Sequence, residues 1–495
     1  MAPRLLVFLL ALVCALEPAQ AQWRRAESPH FIVYSQGPEA DLRERTVLLE
    51  RFDGLLRMAT NVSAPPGPNK LTVYLVEGTE DLRIVRPGSS ALLAGFYSAT
   101  PNGIAAFVDR RLRDAENEIL FHEYAHHFMM QHAAGAYPVW YVEGFAEYFA
   151  TTRFHGPRIE VGNASAMRGD WVVNGRWLPM ERVLFGSLAG LNAIDVSQFY
   201  AQSWLIVHYF FRTEERRAAL RRYLAAARDA DPRQAFEQAT GFSPSELAEE
   251  LRGYIRRGRI SFTTITLANV EAPPSIAVTT LPRTAGDLIL YEAALRRNIE
   301  GDAQARLVRR IREQAARRPQ DPVARRTLAH AEILYGDAAA ADPLLDPLIA
   351  AAPEDAELMY LKGLRYLMAA ERGQDWATNA AAARRWFVRA HRAAPYHYQT
   401  LYRYSQSMRR EADYFSDQVS EILLLAHELA PQVSEIRLNA AVMQMNRGAF
   451  TEAEGLLRPI ANDPHDPQLA QTARELLEHA RARRRPQPAQ EPRAD

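Results

Sequence analysis

Apolar and polar positions along this chain follow two rhythms in turn. Residues 30–34 and 71–76 gather β-branched and aromatic side chains into short runs of strand type. Between them Leu42, Leu48, Leu49, Phe52 and Leu55 recur at helical spacing, which predicts a helix over 41–59. Gly95-Phe96-Tyr97 and residues 104–108 flank Pro101-Asn102-Gly103, a turn sequence that predicts a hairpin. A small sheet therefore precedes the first long helical stretch. From 198 to 257 one helical pattern follows another: residues 200–211 are apolar enough for a core, and Ser243-Pro244-Ser245-Glu246 has the chemistry that opens a helix. Ala272-Pro273-Pro274 and Leu281-Pro282 then mark a connecting stretch over 262–283, rich in Thr and Val and β-like in composition.

The rhythm beyond that stretch is longer. Pro319, Pro353, Pro395, Pro431 and Pro464 each follow a helical segment rich in Ala and Leu, at separations of 34, 42, 36 and 33 residues. Arg447-Gly448-Ala449-Phe450-Thr451-Glu452-Ala453-Glu454 resembles the turn and second-helix start of a tetratricopeptide repeat, and Tyr335-Gly336-Asp337 resembles an earlier copy. Such repeats have a period of about 34 residues and stack into a solenoid with a concave face for protein partners. The 42-residue step is expected to hold its extra residues around 371–379.

Chemistry enters with His122-Glu123-Tyr124-Ala125-His126. Two imidazoles four residues apart project from one helix face, because a turn takes 3.6 residues. They suit one metal ion, and the carboxylate beside the first suits proton removal from metal-bound water. His127 points about 100° away from His126, which favours packing over ligation. His132 and His155 have no spacing that marks them as ligands. A third ligand must come from elsewhere. After Gly135, Pro138 suits the first turn of a new helix, and the run to Ala150 is largely apolar and aromatic. Glu143 follows His126 by 17 positions, and Glu147 lies one turn further. Zinc sites with two His and one Glu use such a distant carboxylate and keep a fourth position for water. Glu143 is the expected ligand; Glu147 competes for that role but reads better as an acceptor that orients a His.

These residues resemble the gluzincin metallopeptidases. Trp140-Tyr141-Val142-Glu143-Gly144-Phe145-Ala146 is similar to the Trp-x-x-Glu-Gly-x-Ala stretch that carries their ligand Glu. The bacterial peptidase-MA-like domain family is also similar at Ser28-Pro29-His30-Phe31-Ile32-Val33-Tyr34-Ser35 and at Tyr200-Ala201-Gln202-Ser203-Trp204. The resemblance spans roughly 25–260, and its gap to Glu143 is shorter than in the thermolysin or aminopeptidase groups. It implies a sheet with an edge strand that holds extended substrate, and peptide hydrolysis at Zn2+ held by His122, His126 and Glu143. Glu123 is then the general base. The oxyanion needs a further donor; Tyr200 is a candidate through the resemblance, with Tyr137, Tyr141 and Tyr148 as other options.

Composition bounds the rest. The 495 residues are 48% hydrophobic and 24% charged, with 59 Lys+Arg against 59 Asp+Glu, so no global field favours nucleic acid or an anionic membrane. Arg4, an apolar run over 5–16 and Ala19-Gln20-Ala21 read as a secretory signal peptide cleaved before Gln22, the run being too short to span a bilayer. Cys14, the sole cysteine, lies inside that run, so the mature chain would lack thiols and disulfides, as suits a bacterial periplasmic or secreted protein. The expected fold is α+β: signal peptide (1–21), metallopeptidase domain (22–261), connecting stretch (262–283), all-α TPR-like solenoid (284–480) and a basic, Pro-rich disordered tail (481–495). The expected function is a zinc endopeptidase that takes protein or peptide substrate, without nucleic acid and without a membrane span in the mature chain. The alternatives are a non-catalytic envelope scaffold and an assembly factor acting through the solenoid.

Overall fold

Alternating side chains make the first half of the chain a two-faced sheet. Its elements run β1 (Arg24–Glu27), β2 (Phe31–Ser35), α1 (Glu39–Thr60), β3 (Leu71–Val76), α2 (Thr79–Val85), β4 (Gly95–Thr100) and β5 (Gly103–Asp109). In this computed structural model the described residues are 22–484 except 92, 133, 134, 136, 228, 229, 259, 267–273, 464 and 465. The expected leader and residues 485–495 of the expected tail lie outside them. The helix expected over 41–59 is α1, and the expected hairpin is the antiparallel pair β4–β5.

Two helices follow that carry the motif residues: α3 (Glu116–His132) and α4 (Val139–Ala150). Pro138 stands at the N-cap of α4, one position earlier than expected. Next come β6 (Arg153–His155), β7 (Arg158–Val161), α5 (Ala166–Asn174), α6 (Met180–Phe185) and α7 (Ala193–Phe211). The series α8 (Glu214–Ala226), α9 (Pro232–Thr240) and α10 (Pro244–Arg256) completes this half, and Ser243 with Glu246 forms the capping box its sequence announced.

Residues 262–283 do more than connect. They supply β8 (Thr263–Thr266), which pairs antiparallel with β7, and β9 (Ala277–Thr280), which pairs antiparallel with β1. The main sheet thus has the order β4-β5-β3-β2-β1-β9, with β2, β3 and β5 parallel, and the small one β6-β7-β8.

Each face of the main sheet has its own cover. Phe31, Val33, Leu71, Val73, Leu75, Ala106 and Val108 pack with Leu49, Phe52 and Leu56 of α1 and with Leu120, Phe121 and Tyr124 of α3. Tyr74, Val76, Phe96 and Phe107 point the other way, as the period of two in a strand requires. Their aromatic ladder, Tyr34–Tyr74–Phe107–Phe96, has centroid spacings of 5.2, 4.9 and 4.8 Å. It is covered by α2 and by two helices from the C-terminal half, α11 (Arg283–Leu295) and α12 (Asp302–Ala316). The helical region expected from residue 284 thus begins inside a core it shares with the sheet.

Paired helices follow: α13 (Pro322–Tyr335) with α14 (Asp342–Ala351), α15 (Ala356–Glu371) with α16 (Trp376–Ala393), α17 (Tyr398–Ser407) with α18 (Asp417–Leu429), and α19 (Ser434–Asn446) with α20 (Phe450–Ala461), closed by α21 (Pro467–Arg484). Pro319, Pro353, Pro395 and Pro431 fall in the loops that enter α13, α15, α17 and α19; Pro464 lies outside the described residues. Asp321 and Asp355 cap α13 and α15 by accepting from backbone N–H groups. The long step is taken up by longer helices, 16 residues in α15 and 18 in α16, which meet at the turn within 371–379. Residues 481–484, expected in the tail, continue α21, where Arg484 reaches the buried Glu454 carboxylate at 3.2 Å. No helix among the described residues is long and apolar enough to cross a membrane.

Candidate metal centre

Packing of α3 against the sheet decides where its polar residues point. Phe121, Tyr124, Ala125 and Phe128 are buried toward the sheet and α1. Between them Tyr124 donates its hydroxyl to Asp53 Oδ1 at 2.6 Å, and Asp53 also takes Arg57 Nε at 2.6 Å. His30 joins this network through Glu50, which accepts from its ring at 2.7 Å and from its backbone N–H at 2.9 Å. His30, Glu50 and Asp53 lie close enough together to suggest a cation, but Arg57 and Tyr124 already occupy Asp53, so the cluster reads as an anchor for the back of α3.

The opposite face of α3 presents His122 and His126. Their Nε2 atoms stand 3.0 Å apart, and Glu143 Oε2 is 3.7 Å from the first and 3.5 Å from the second. Donors around one tetrahedral zinc, bound at about 2.0–2.1 Å, are separated by about 3.3 Å. The three groups therefore fit a single small cation, with two imidazoles and one carboxylate of the right chemistry. Glu143 is wholly buried, His126 nearly so, and the His122 side chain 17% exposed, which leaves an approach on its side.

Glu143 reaches this point because α4 packs on α3 and α7. Trp140, Phe145 and Phe149 bury the rest of α4, so its acidic stripe has one direction left. Glu147, one turn on, sits 3.4 Å from Nδ1 of His122 and is held at both oxygens by Arg168 of α5, at 2.7 and 2.9 Å. It is thus on the outer side of the His122 ring, as expected of an orienting acceptor.

Electrostatics separates the roles. Burial, helped by His126, lowers His122 to about 4, so its ring is neutral and ready to ligate. Burial pulls His126 down as well, but Glu143 outweighs it and leaves the ring raised. Glu123 is pushed up to about 7, first by burial and further by Glu143, against His126 and a hydrogen bond from the backbone N–H of Tyr97. That bond places the Glu123 carboxylate beside β4, the terminal strand of the sheet.

Unlike Tyr141 and Tyr148, Tyr200 feels the site acids. Its hydroxyl is raised first by Glu143, then by burial, Glu147 and Glu123, and its ring centroid is 6.4 Å from that of His122. Tyr137 and Tyr141 pack on each other with tilted rings at 5.2 Å, and Tyr148 packs against Phe211 and His208. His127 is buried elsewhere, bonded to the Tyr97 hydroxyl at 3.1 Å; burial lowers it to about 3. His132 lies against Arg57 and His155 against Glu160, away from the centre.

Sequence reasoning missed Arg168. Nothing in spacing marks it: it comes 21 residues after Glu147, and only Ser165, whose hydroxyl caps α5, announced a helix there.

No protein-family model matches the chain. No curated protein matches it either. Among solved structures, the crystal structure of a thermophilic TPR protein in Thermus thermophilus is similar over 39% of this chain and 92% of that one, at 19% sequence identity and a TM-score of 0.31. The paired helices of the C-terminal half describe a helical-repeat region independently of that likeness.

Proposed function

We propose that the chain is a zinc-dependent metallopeptidase of gluzincin type, exported and acting as an endopeptidase. The observation that carries the reading is the meeting of His122 Nε2, His126 Nε2 and Glu143 Oε2 within 3.0–3.7 Å of one another, with Glu123 beside them. Zinc bound there supplies an acidified water and polarises the scissile carbonyl. Glu123 takes the proton from the attacking water and delivers it to the leaving amine. In the metal-free chain burial raises Glu123 to about 7, which shows how far its carboxylate is withdrawn from water. Tyr200, its hydroxyl raised by Glu143 and by burial, is the donor to the oxyanion. An extended peptide lying along β4 passes directly beside Glu123.

The helical repeats then recruit a protein substrate or regulator through their exposed helix faces. The test of the catalytic reading is elemental analysis joined to a cleavage assay. Zinc near one per chain, lost in His122→Ala, and hydrolysis abolished in a zinc-replete Glu123→Gln variant are expected. Parental cleavage by Glu123→Gln overturns the mechanism, and a metal-free chain with a tight protein partner favours the scaffold.

A further inference from the structure

We propose that Arg168 is a positioning residue for this centre: its guanidinium clamps Glu147, and Glu147 in turn fixes the ring of His122. The inference rests on the zinc reading above.

The clamp is two-pronged. Arg168 Nε donates to Glu147 Oε2 at 2.9 Å and Nη2 to Oε1 at 2.7 Å, the paired geometry in which Arg exceeds Lys. The same Oε1 lies 3.4 Å from His122 Nδ1. That nitrogen is remote from the Nε2 that faces His126 and Glu143, so the ring is constrained from both edges. Arg168 is itself held. Its backbone N–H donates to Ser165 Oγ at 3.2 Å, and its guanidinium lies over the Tyr200 ring at 5.3 Å from the centroid. The Arg168 and Glu147 side chains are 16% and 8% exposed, so water competes little for either.

An imidazole free to turn about χ2 must be ordered when a cation binds; a carboxylate on its far nitrogen has ordered it beforehand. Glu147 alone does not suffice. A carboxylate on a helix surface has several rotamers, and only a fork gripping both oxygens selects one. Arg168 thus acts on the metal through two intermediates and touches neither metal nor substrate.

The test uses the purified full chain and zinc itself, with affinity read by competition against a chromophoric chelator. Arg168→Met and Glu147→Ala are each expected to weaken zinc about 10–100-fold. The double variant should be no weaker than Glu147→Ala, because both changes cut one chain of contacts. Arg168→Lys keeps the charge but loses the fork, so it should fall between parent and Arg168→Met, and it carries the test if Arg168→Met does not fold. Parental affinity in both Arg168 variants, losses that add in the double variant, or tighter zinc in Arg168→Met each overturn the proposal. These failures leave the zinc reading standing, whereas a parent chain that takes up no zinc overturns both.

Discussion

Gly144 lies so close to Ser203 that a Cβ on it would stand 2.4 Å from the Ser203 carbonyl oxygen. The nearest atom is helix backbone, which cannot swing aside, and Val207 Cγ2 follows at 2.7 Å. It lets α4 and α7 approach closely and brings Glu143, one residue before Gly144, near Tyr200, about one turn before Ser203. Gly144→Ala should therefore push the helices apart, costing about 1–3 kcal/mol of stability and weakening zinc binding. Denaturant titration with and without zinc measures both; an unchanged midpoint contradicts the packing argument.

Tyr200→Phe removes one hydroxyl and little else. If that hydroxyl meets the oxyanion, kcat falls about 100-fold while KM and zinc content stay near parental values. Tyr141→Phe, made in parallel, should leave kcat within about twofold of the parent. Steady-state kinetics on a fluorogenic peptide separates the two.

Zinc uptake should depend on pH in a defined direction. Glu143 leaves His126 raised above its ordinary value, so in the metal-free chain this ring holds its proton to a higher pH than a free imidazole does. Zinc must displace that proton, and affinity therefore falls as pH drops. His122, lowered to about 4, adds nothing to this dependence above that pH. Calorimetry in buffers of different ionisation heat reads the released proton directly; uptake with no proton release contradicts the assignment.

The junction of sheet and repeats has an acid limit of its own. Glu357 on α15 takes Arg296, the C-cap residue of α11, at 2.7 Å; burial opposes its ionisation, but Arg296 and then His397 outweigh it and lower it to about 2. Its folded value is depressed, so its stabilisation is present above about pH 4.5 and is lost as pH falls toward 2. Glu357→Gln should remove on the order of 2–3 kcal/mol at neutral pH and flatten stability across that acid window. Urea midpoints at several pH values decide it.

What the sequence told, and where it fell silent, has physical reasons. His122, Glu123, His126 and Glu143 were legible because the metal site proposed for them asks for fixed residue types at helical spacing. The strands of residues 31–35 and 71–76 were legible because each face of the sheet is buried, which enforces their pattern. Arg168 was not, since a clamp between two helices needs only that they meet, and no spacing records the meeting. In the small sheet only β8 fell in a stretch read as β-like; β6 and β7, of three and four residues, are too short for alternation to show. Choosing Tyr200 over three other tyrosines needed the proximity of Glu143, which only folding reveals.

The passage over 263–280 threads one strand into each sheet, and the helices after it roof the aromatic ladder. The seam between the halves is thus the worst place to cut. A fragment ending at 261 would bare the rim of β1, strip the lid from Tyr74, Phe96 and Phe107, and gather into clumps. The sheet-bearing head and repeat array in this chain are one foldable object, to be expressed whole or not at all.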